Sequence, residues 1–365
     1  MTAPVEEAAD PTLAHGLRRS QIHELYHQAV LTRAVEERLE VLFRQGKVKG
    51  GLYRSLGQEG GSVGTAYALR RRTDGTGDII AHSIRETGAL LLMGGTPHEY
   101  FTQYLARGTA PTGGKETNVH WTDFQRGFVG PVSPLGTMVG VMAGITLSFR
   151  QQGEDRVGMV YGGDGATSTA AFHEGLTLAA AQGCPMVMVV EHNQWAFSTP
   201  TRKQTRVSSF VEKAPGYGVA AESVDGCDIL AVYEAASRLV EGARAGEGTA
   251  LLELRYYRRL GHAQHDAQEY VPPDELERWA RWDPIALFRD RLLQEDWADP
   301  QELTALEEKA ETEAREAAER AASDPAPEPE TEGRRVYRDA TIPSPWTRRD
   351  PVEPGSSRVV NGEAT

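Results

Sequence analysis

The segment Pro185–Val190 contains no side chain suited to water. A strand of that composition has to be covered on both faces, which places it inside a sheet flanked by helices. Val157–Tyr161, Val219–Val224 and Ala250–Tyr257 read as further strands of the same sheet. Helical periodicity separates them over Ser168–Gln182 and Ile229–Ala245, and Thr137–Phe149 reads as a buried helix ahead of the first. Strands alternating with helices in this way predict an α/β fold with a mostly parallel sheet.

The remainder of the chain extends that unit at both ends. Arg18–Gln45 has apolar residues at helical spacing and is closed by Gly46. Glycine-rich Gly50–Gly64 predicts a tight turn before a short helix. Asp78–Ala81 is a strand candidate, and Glu86–Met93 a helix. Residues 107–134 carry glycines and prolines without a period and read as a long loop, a feature that tends to be functional. Leu276–Leu293 and Pro300–Ala322 read as C-terminal amphipathic helices. The expected organisation is a flexible leader over 1–17, one domain over 18–323, and a tail or linker over 324–365. The Pro, Glu and Arg composition of that tail cannot bury a core.

Charge and composition exclude several partners. A formal net charge of −13 disfavours non-specific binding to nucleic acid, which needs basic patches facing phosphate. No apolar run reaches the roughly 18 residues that span a bilayer. Met1–Glu7 is acidic and has neither the basic nor the apolar segment of a secretory signal. Cys184 and Cys227 cannot build a disulfide framework and are expected to be buried thiols. A cytoplasmic protein without nucleic-acid or membrane partners is the expectation.

Chemistry enters at Gly163-Asp164-Gly165, where the strand Val157–Tyr161 gives way to a helix. Ligands of open α/β sheets bind at the carboxyl ends of strands. Glycines there let the backbone approach a phosphate, and the free N–H groups of the following turn favour its charge. Asp164 contradicts a bare phosphate site, because a carboxylate repels phosphate unless a cation lies between them. A hard oxygen ligand of this kind suits Mg²⁺ or Ca²⁺. Asn193 lies 29 positions later (193 minus 164), the length of one strand–helix–strand unit, so it should emerge beside Asp164. A backbone carbonyl near Trp195 offers a third oxygen. A Gly-Asp turn and a loop asparagine are each commonplace, so the wider context decides.

That context is the run Gly162-Gly163-Asp164-Gly165-Ala166-Thr167-Ser168, continuing through Phe172-His173-Glu174 to Glu191-His192-Asn193-Gln194-Trp195-Ala196-Phe197-Ser198-Thr199-Pro200. It resembles the thiamine-diphosphate motif in alpha subunits of 2-oxo acid dehydrogenase first components, the group that includes pyruvate and branched-chain 2-oxo acid dehydrogenases. Collinear matches include Ser55-Leu56-Gly57-Gln58-Glu59-Gly60, Arg85, Val119-His120, Ser133-Pro134-Leu135, Gly261-His262 and Asp283-Pro284. The resemblance covers residues 18–325. It implies the thiamine-diphosphate-binding fold, with N-terminal and C-terminal helical extensions, and oxidative decarboxylation of a 2-oxo acid with acyl transfer to lipoyl groups. It implies Mg²⁺ held by Asp164, Asn193 and the Trp195 carbonyl. Arg85, His262 and the backbone of Gly163, Gly165 and Ala166 are then expected at the diphosphate, and Ser133 and Leu135 beside the aminopyrimidine. His262 and His120 are the candidate catalytic side chains. The family's beta subunit supplies the carboxylate that activates the cofactor, so an α₂β₂ heterotetramer with a lipoyl acyltransferase is implied. Other thiamine enzymes, acetoin dehydrogenase or transketolase-like, and a non-catalytic scaffolding homologue are the competing readings.

The chain also departs from the family pattern. His192 stands where a second asparagine is usual, Ile84 where a tyrosine is frequent, and the stretch Gly51-Leu52-Tyr53-Arg54 lacks the histidine that pyruvate-type members often carry near substrate. Val132 and Met138 replace polar side chains of a potassium site. Residues 261–275 contain neither serine nor threonine, although regulated members are phosphorylated there. Phosphopeptide mapping of protein from its native cells is therefore expected to find residues 261–275 unmodified; phosphate within them contradicts this reading.

Overall fold

The computed structural model describes residues 10–331. In chain order its strands are β1 (Ile79–Ala81), β2 (Phe128–Val129), β3 (Gly158–Gly163), β4 (Met186–His192), β5 (Trp195–Ala196), β6 (Thr199–Pro200), β7 (Ala220–Asp225) and β8 (Ala250–Arg255). The helices of the first half are α1 (Arg19–Arg44), α2 (Glu59–Tyr67), α3 (Thr87–Leu92), α4 (Pro97–Tyr104), α5 (Thr137–Gln152) and α6 (Ala170–Ala181). Those of the second half are α7 (Thr201–Gln204), α8 (Ala214–Tyr217), α9 (Ile229–Gly242), α10 (Pro273–Trp279), α11 (Pro284–Gln294) and α12 (Pro300–Ser323).

Among the described residues the main sheet has six strands in the order β2-β1-β3-β4-β8-β7, all parallel. Strands β5 and β6 form a separate antiparallel hairpin. The all-apolar strand at the centre behaves as its composition requires. Val187 and Val189 of β4 point into one buried cluster, while Met186, Met188 and Val190 point into another on the opposite face. The same alternation sends Met159 and Tyr161 of β3 one way and Val160 the other. Helices α5 and α6 cover the second face, and α1, α2 and α9 cover the first. Each fully buried apolar side chain contributes roughly 1.5–3 kcal/mol.

Several predicted elements shift in instructive ways. The C-terminal helix expected over Leu276–Leu293 is two helices, because Pro284 cannot continue a helix and Asp283 instead caps α11 through Ile285 N and Ala286 N. The 107–134 loop contains one regular piece, β2, which adds an edge to β1. Its two residues are too few to show a period. Both cysteines are buried and free. Of the expected leader, residues 1–9 lie outside the described residues, whereas Leu17 is buried and Asp10 accepts from Ser20 N and Ser20 Oγ. Residues 10–327 belong to one compact unit. The expected tail lies outside the described residues from position 332 onward.

Close packing of α5 on α6 depends on Gly175. A Cβ on Gly175 would lie 2.5 Å from Gly140 N, whereas one on Gly144 meets nothing within 4 Å. Gly175→Ala is expected to destabilise the protein by about 1–3 kcal/mol in chemical denaturation. Gly144→Ala should leave stability unchanged or raise it by up to ~1 kcal/mol, from helix propensity alone. Equal midpoints for the two variants refute this account of the helix pair.

Candidate active site

A cavity of about 530 Å³ opens at the carboxyl edge of the sheet. The ends of β1, β3 and β4 deliver Arg85, Asp164 and Asn193 to it, and the segment after β8 brings His262. Every candidate site residue from the sequence lines this one cavity: Gly163, Gly165 and Ala166 around the turn, Trp195 on the hairpin, and His120, Ser133 and Leu135 from the long loop. Parallel pairing explains the grouping. Gly163 sits opposite Glu191 in the β3–β4 ladder, so the residues that follow both strands leave the sheet side by side.

Asp164 begins a 3-10 turn directly after β3 and is 2% exposed. Its Oδ1 accepts from Gly165 N at 2.8 Å. Its Oδ2 accepts from Thr201 Oγ1 at 2.5 Å and Gln204 Nε2 at 3.2 Å. All of these donors are neutral, and burial raises its pKa above the ordinary carboxylate value. A Cβ on Gly165 would stand 2.6 Å from Ala196 Cβ, so glycine is what lets the β5–β6 hairpin close over the turn. Asn193 is 4% exposed and donates through Nδ2 to Gln58 Oε1 at 2.9 Å. That bond leaves Oδ1 with a single long contact, from Trp195 N at 3.4 Å.

These oxygens fit a hard cation. A carboxylate, an amide oxygen and a carbonyl are ligands of the type Mg²⁺ takes, with room for phosphate and water to complete its shell. No group of three or more His, Cys, Asp or Glu suited to a metal occurs among the described residues. A metal here would therefore have Asp164 as its one charged protein ligand.

Arg85 is 8% exposed and has no ion pair among the described residues. Its Nη2 donates to His262 O at 2.6 Å and its Nε to Arg54 O at 3.3 Å. Burial, then the charge of Arg258, disfavours its cationic form, so an anion bound here is stabilising. The His262 ring lies between Tyr53 and Phe197, with centroids 5.4 and 4.7 Å away. Burial, followed by Arg85 and Arg258, pushes its pKa down to about 4. Two departures from the family pattern thus have a structural role: Tyr53 packs on His262, and Ile84 lines the cavity.

Several residues that sequence reasoning passed over organise this site. Arg258 is 1% exposed and binds three carbonyls, donating to Trp195 O at 3.2 Å, Phe197 O at 2.8 Å and Leu260 O at 3.1 Å. It also donates to Tyr270 Oη, which donates to Asp266 Oδ2. The same carboxyl oxygen accepts from His262 N at 2.7 Å. One guanidinium therefore couples the hairpin that carries Trp195 to the loop that carries His262. Beneath the cavity Glu191 accepts from Tyr256 Oη and Ser83 Oγ, while burial, then the charge of Glu191, raises Glu86 well above the carboxylate range. His192, the departure beside Asn193, bonds Glu253 at 2.7 Å. Burial pushes Glu253 up, but hydrogen bonds from His192, Ser209 and Phe210 N outweigh it and hold the carboxyl at about 2. A glutamate inside the otherwise apolar start of β8 was the available signal for this pair.

Comparison with known proteins agrees in one direction. Residues 27–330 match the family described as dehydrogenase E1 component. The alpha subunit of acetoin:2,6-dichlorophenolindophenol oxidoreductase from Cupriavidus necator is 31% identical over 324 residues, covering 88% of this chain and 96% of the relative. The pyruvate dehydrogenase E1 component subunit alpha of Rhizobium meliloti is 29% identical over 304 residues, 83% of this chain and 86% of the relative. The 3-methyl-2-oxobutanoate dehydrogenase subunit alpha of Mycobacterium tuberculosis is 35% identical over 271 residues, 73% and 69% respectively.

His82, at the end of β1, is 1% exposed and is also pushed by burial from 6.5 to about 4. The unfolded chain takes up this proton near pH 6.5, the folded chain only near 4. Its stability contribution is thus complete above pH 6.5 and is lost as pH falls towards 4. From pH 7 to pH 5 the unfolding free energy is expected to drop by about 2 kcal/mol through His82 alone. Urea denaturation of His82→Asn at both pH values should show that much less dependence; an unchanged slope rules the assignment out.

Proposed function

We propose, from the premise that the chain belongs to the dehydrogenase E1 component family, that it is the alpha subunit of a thiamine-diphosphate-dependent 2-oxo acid dehydrogenase. The observation that carries the proposal is a pair of buried charges of opposite sign on one cavity, neither in an ion pair among the described residues. Asp164 is held by neutral donors alone, and Arg85, though favoured at a distance by Glu191, Glu86 and Glu36, bonds only backbone carbonyls among the described residues. Leaving both so is costly unless a ligand supplies both opposite charges. A divalent cation bound to a diphosphate does so.

On this reading Asp164, Asn193 and the Trp195 carbonyl hold Mg²⁺. Arg85, His262 and the backbone of Gly163, Gly165 and Ala166 hold the diphosphate. Ser133 and Leu135 lie beside the aminopyrimidine. When bound, thiamine diphosphate supplies a carbon nucleophile and an electron sink for decarboxylation. The chain's own residues bind, orient and exclude water. His262, with its pKa held at about 4, is neutral near pH 7, so it would donate a ring N–H hydrogen bond to the diphosphate without adding a further positive charge beside Arg85. His120, which also lines the cavity, is the candidate for proton transfer.

The cavity mouth supports a second subunit. Leu135 is 61% exposed, and Phe197 and Val132 are also exposed at the rim. Apolar side chains of this size around an opening suit a protein partner. A beta subunit in an α₂β₂ heterotetramer, with a lipoyl acyltransferase receiving the acyl group, completes the reading. No helix among the described residues is long and apolar enough to cross a membrane, which accords with a cytoplasmic complex. The Cupriavidus relative favours one alternative, the alpha subunit of an acetoin-cleaving enzyme.

The chain alone is expected to turn over no 2-oxo acid, and the reconstituted alpha–beta assembly to act on pyruvate or a branched-chain 2-oxo acid. Acetaldehyde released from acetoin in place of that activity selects the alternative. In calorimetry with thiamine diphosphate and Mg²⁺, Asp164→Ala should abolish binding to the assembly. Retained binding in that variant, or full activity of the chain by itself, defeats the proposal.

A further inference from the structure

Three histidines line the cavity, and each ring is held differently. His82 bonds Ser83 O through Nδ1 at 2.9 Å and packs against Trp121 and Phe128. The His262 ring lies between Tyr53 and Phe197. His120 makes no ring contact among the described residues, and 30% of its side chain is exposed. Its one hydrogen-bond or ion-pair partner among them is Glu116, whose Oε1 lies 3.4 Å from Nδ1.

The chain builds this meeting from both sides of the pair. Buried Gln103 of α4 donates through Nε2 to Glu116 O at 3.0 Å, and Glu116 Oε1 accepts from Thr117 N at 2.9 Å. The next residue of α4, Tyr104, donates through Oη to Asn118 Oδ1 at 2.6 Å, and that oxygen also accepts from Val119 N. Asn118 has a φ of 59°, the left-handed conformation that asparagine tolerates. With that turn the carboxylate and the imidazole meet four positions apart although no helix spans them. A side chain as exposed as His120 would otherwise sample several rotamers.

We propose that Glu116 is a positioning residue for His120, orienting the ring and placing its hydrogen on Nδ1 so that Nε2 is the proton acceptor offered to the cavity. The inference rests on the function proposed above and adds a second member to its proton-transfer group. A carboxylate can only accept, so a ring that bonds it through Nδ1 carries the hydrogen there and leaves the Nε2 lone pair free. A proton taken up at Nε2 creates an imidazolium whose charge Glu116 offsets, and the same proton leaves from Nε2 to product or water. The titratable neighbour on β1, His82, is pushed down to about 4, chiefly by burial, so it adds no competing charge near pH 7. At 3.4 Å, with both side chains partly in water, the contact biases the ring rather than locking it.

Nitrogen NMR of the full chain labelled at histidine reads the ring directly, with His120→Gln identifying the signal. Neutral His120 should carry its hydrogen on Nδ1 in the wild type and in Glu116→Gln, whose amide oxygen still accepts. In Glu116→Ala the population should move towards the Nε2–H form. In the reconstituted alpha–beta assembly Glu116→Ala should lower kcat for the 2-oxo acid about fivefold, with KM and the affinity for thiamine diphosphate unchanged. Glu116→Gln should recover part of that loss. An unchanged tautomer in Glu116→Ala overturns the inference, as does a shifted tautomer with unaltered kcat. A matching loss of cofactor affinity overturns it too, by assigning Glu116 to the structure of the loop. A wild-type assembly without turnover on any oxo substrate sinks the function, while the tautomer comparison still decides the pairing.

Discussion

The parallel pairing of β3 with β4 is the constraint on which the cavity depends. With Gly163 opposite Glu191, both strands end at the same level of the sheet, and Asp164 and Asn193 are the residues that step off it. The register is held by burial: alternate side chains of β4 go to opposite cores, so a slip of one residue would exchange every one of them. Neither ligand candidate has a say in its own position. Apolar packing beneath the site places both.

Above that platform the organisation is electrostatic. Arg258 gathers three carbonyls and, through Tyr270 and Asp266, the backbone of His262, so the hairpin and the loop are fixed to each other by a buried cation. His192 and Glu253 do the same for the segment after α7. These buried charges are paired or hydrogen-bonded, as burial demands. Asp164 and Arg85 are hydrogen-bonded as well, by neutral groups alone, and both line the cavity. On the function proposed above, a bound cation and diphosphate would supply the opposite charge to each.

Local segments carry this organisation towards the opening. The hydroxyl and amide that steady Asp164 belong to the same short helix that displays Arg202 and Lys203. Support for the site and exposed charge are thus carried by one turn of chain. Tyr53 and Phe197 flank His262 and, with Leu135, give the opening an apolar rim.

Much of this was legible in the sequence, and the part that was not has a definite cause. Pro185–Val190 dictated a strand covered on both faces, and its alternation with helical periods dictated the parallel sheet, because apolar pattern alone decides what must be buried. The spacing of Asp164 and Asn193 dictated neighbouring loops, because one strand–helix–strand unit has a fixed length. The roles of Arg258 and Glu86 were illegible, since a charged residue looks alike in sequence whether water or a buried partner compensates it. The same holds for Glu116, which only the folded chain shows beside His120. The break at Pro284 and the edge strand β2 were likewise decided locally, by one missing N–H and by a neighbour's open edge. Sequence determined which surfaces had to be dry. Tertiary structure decided which charges were left for something else to meet.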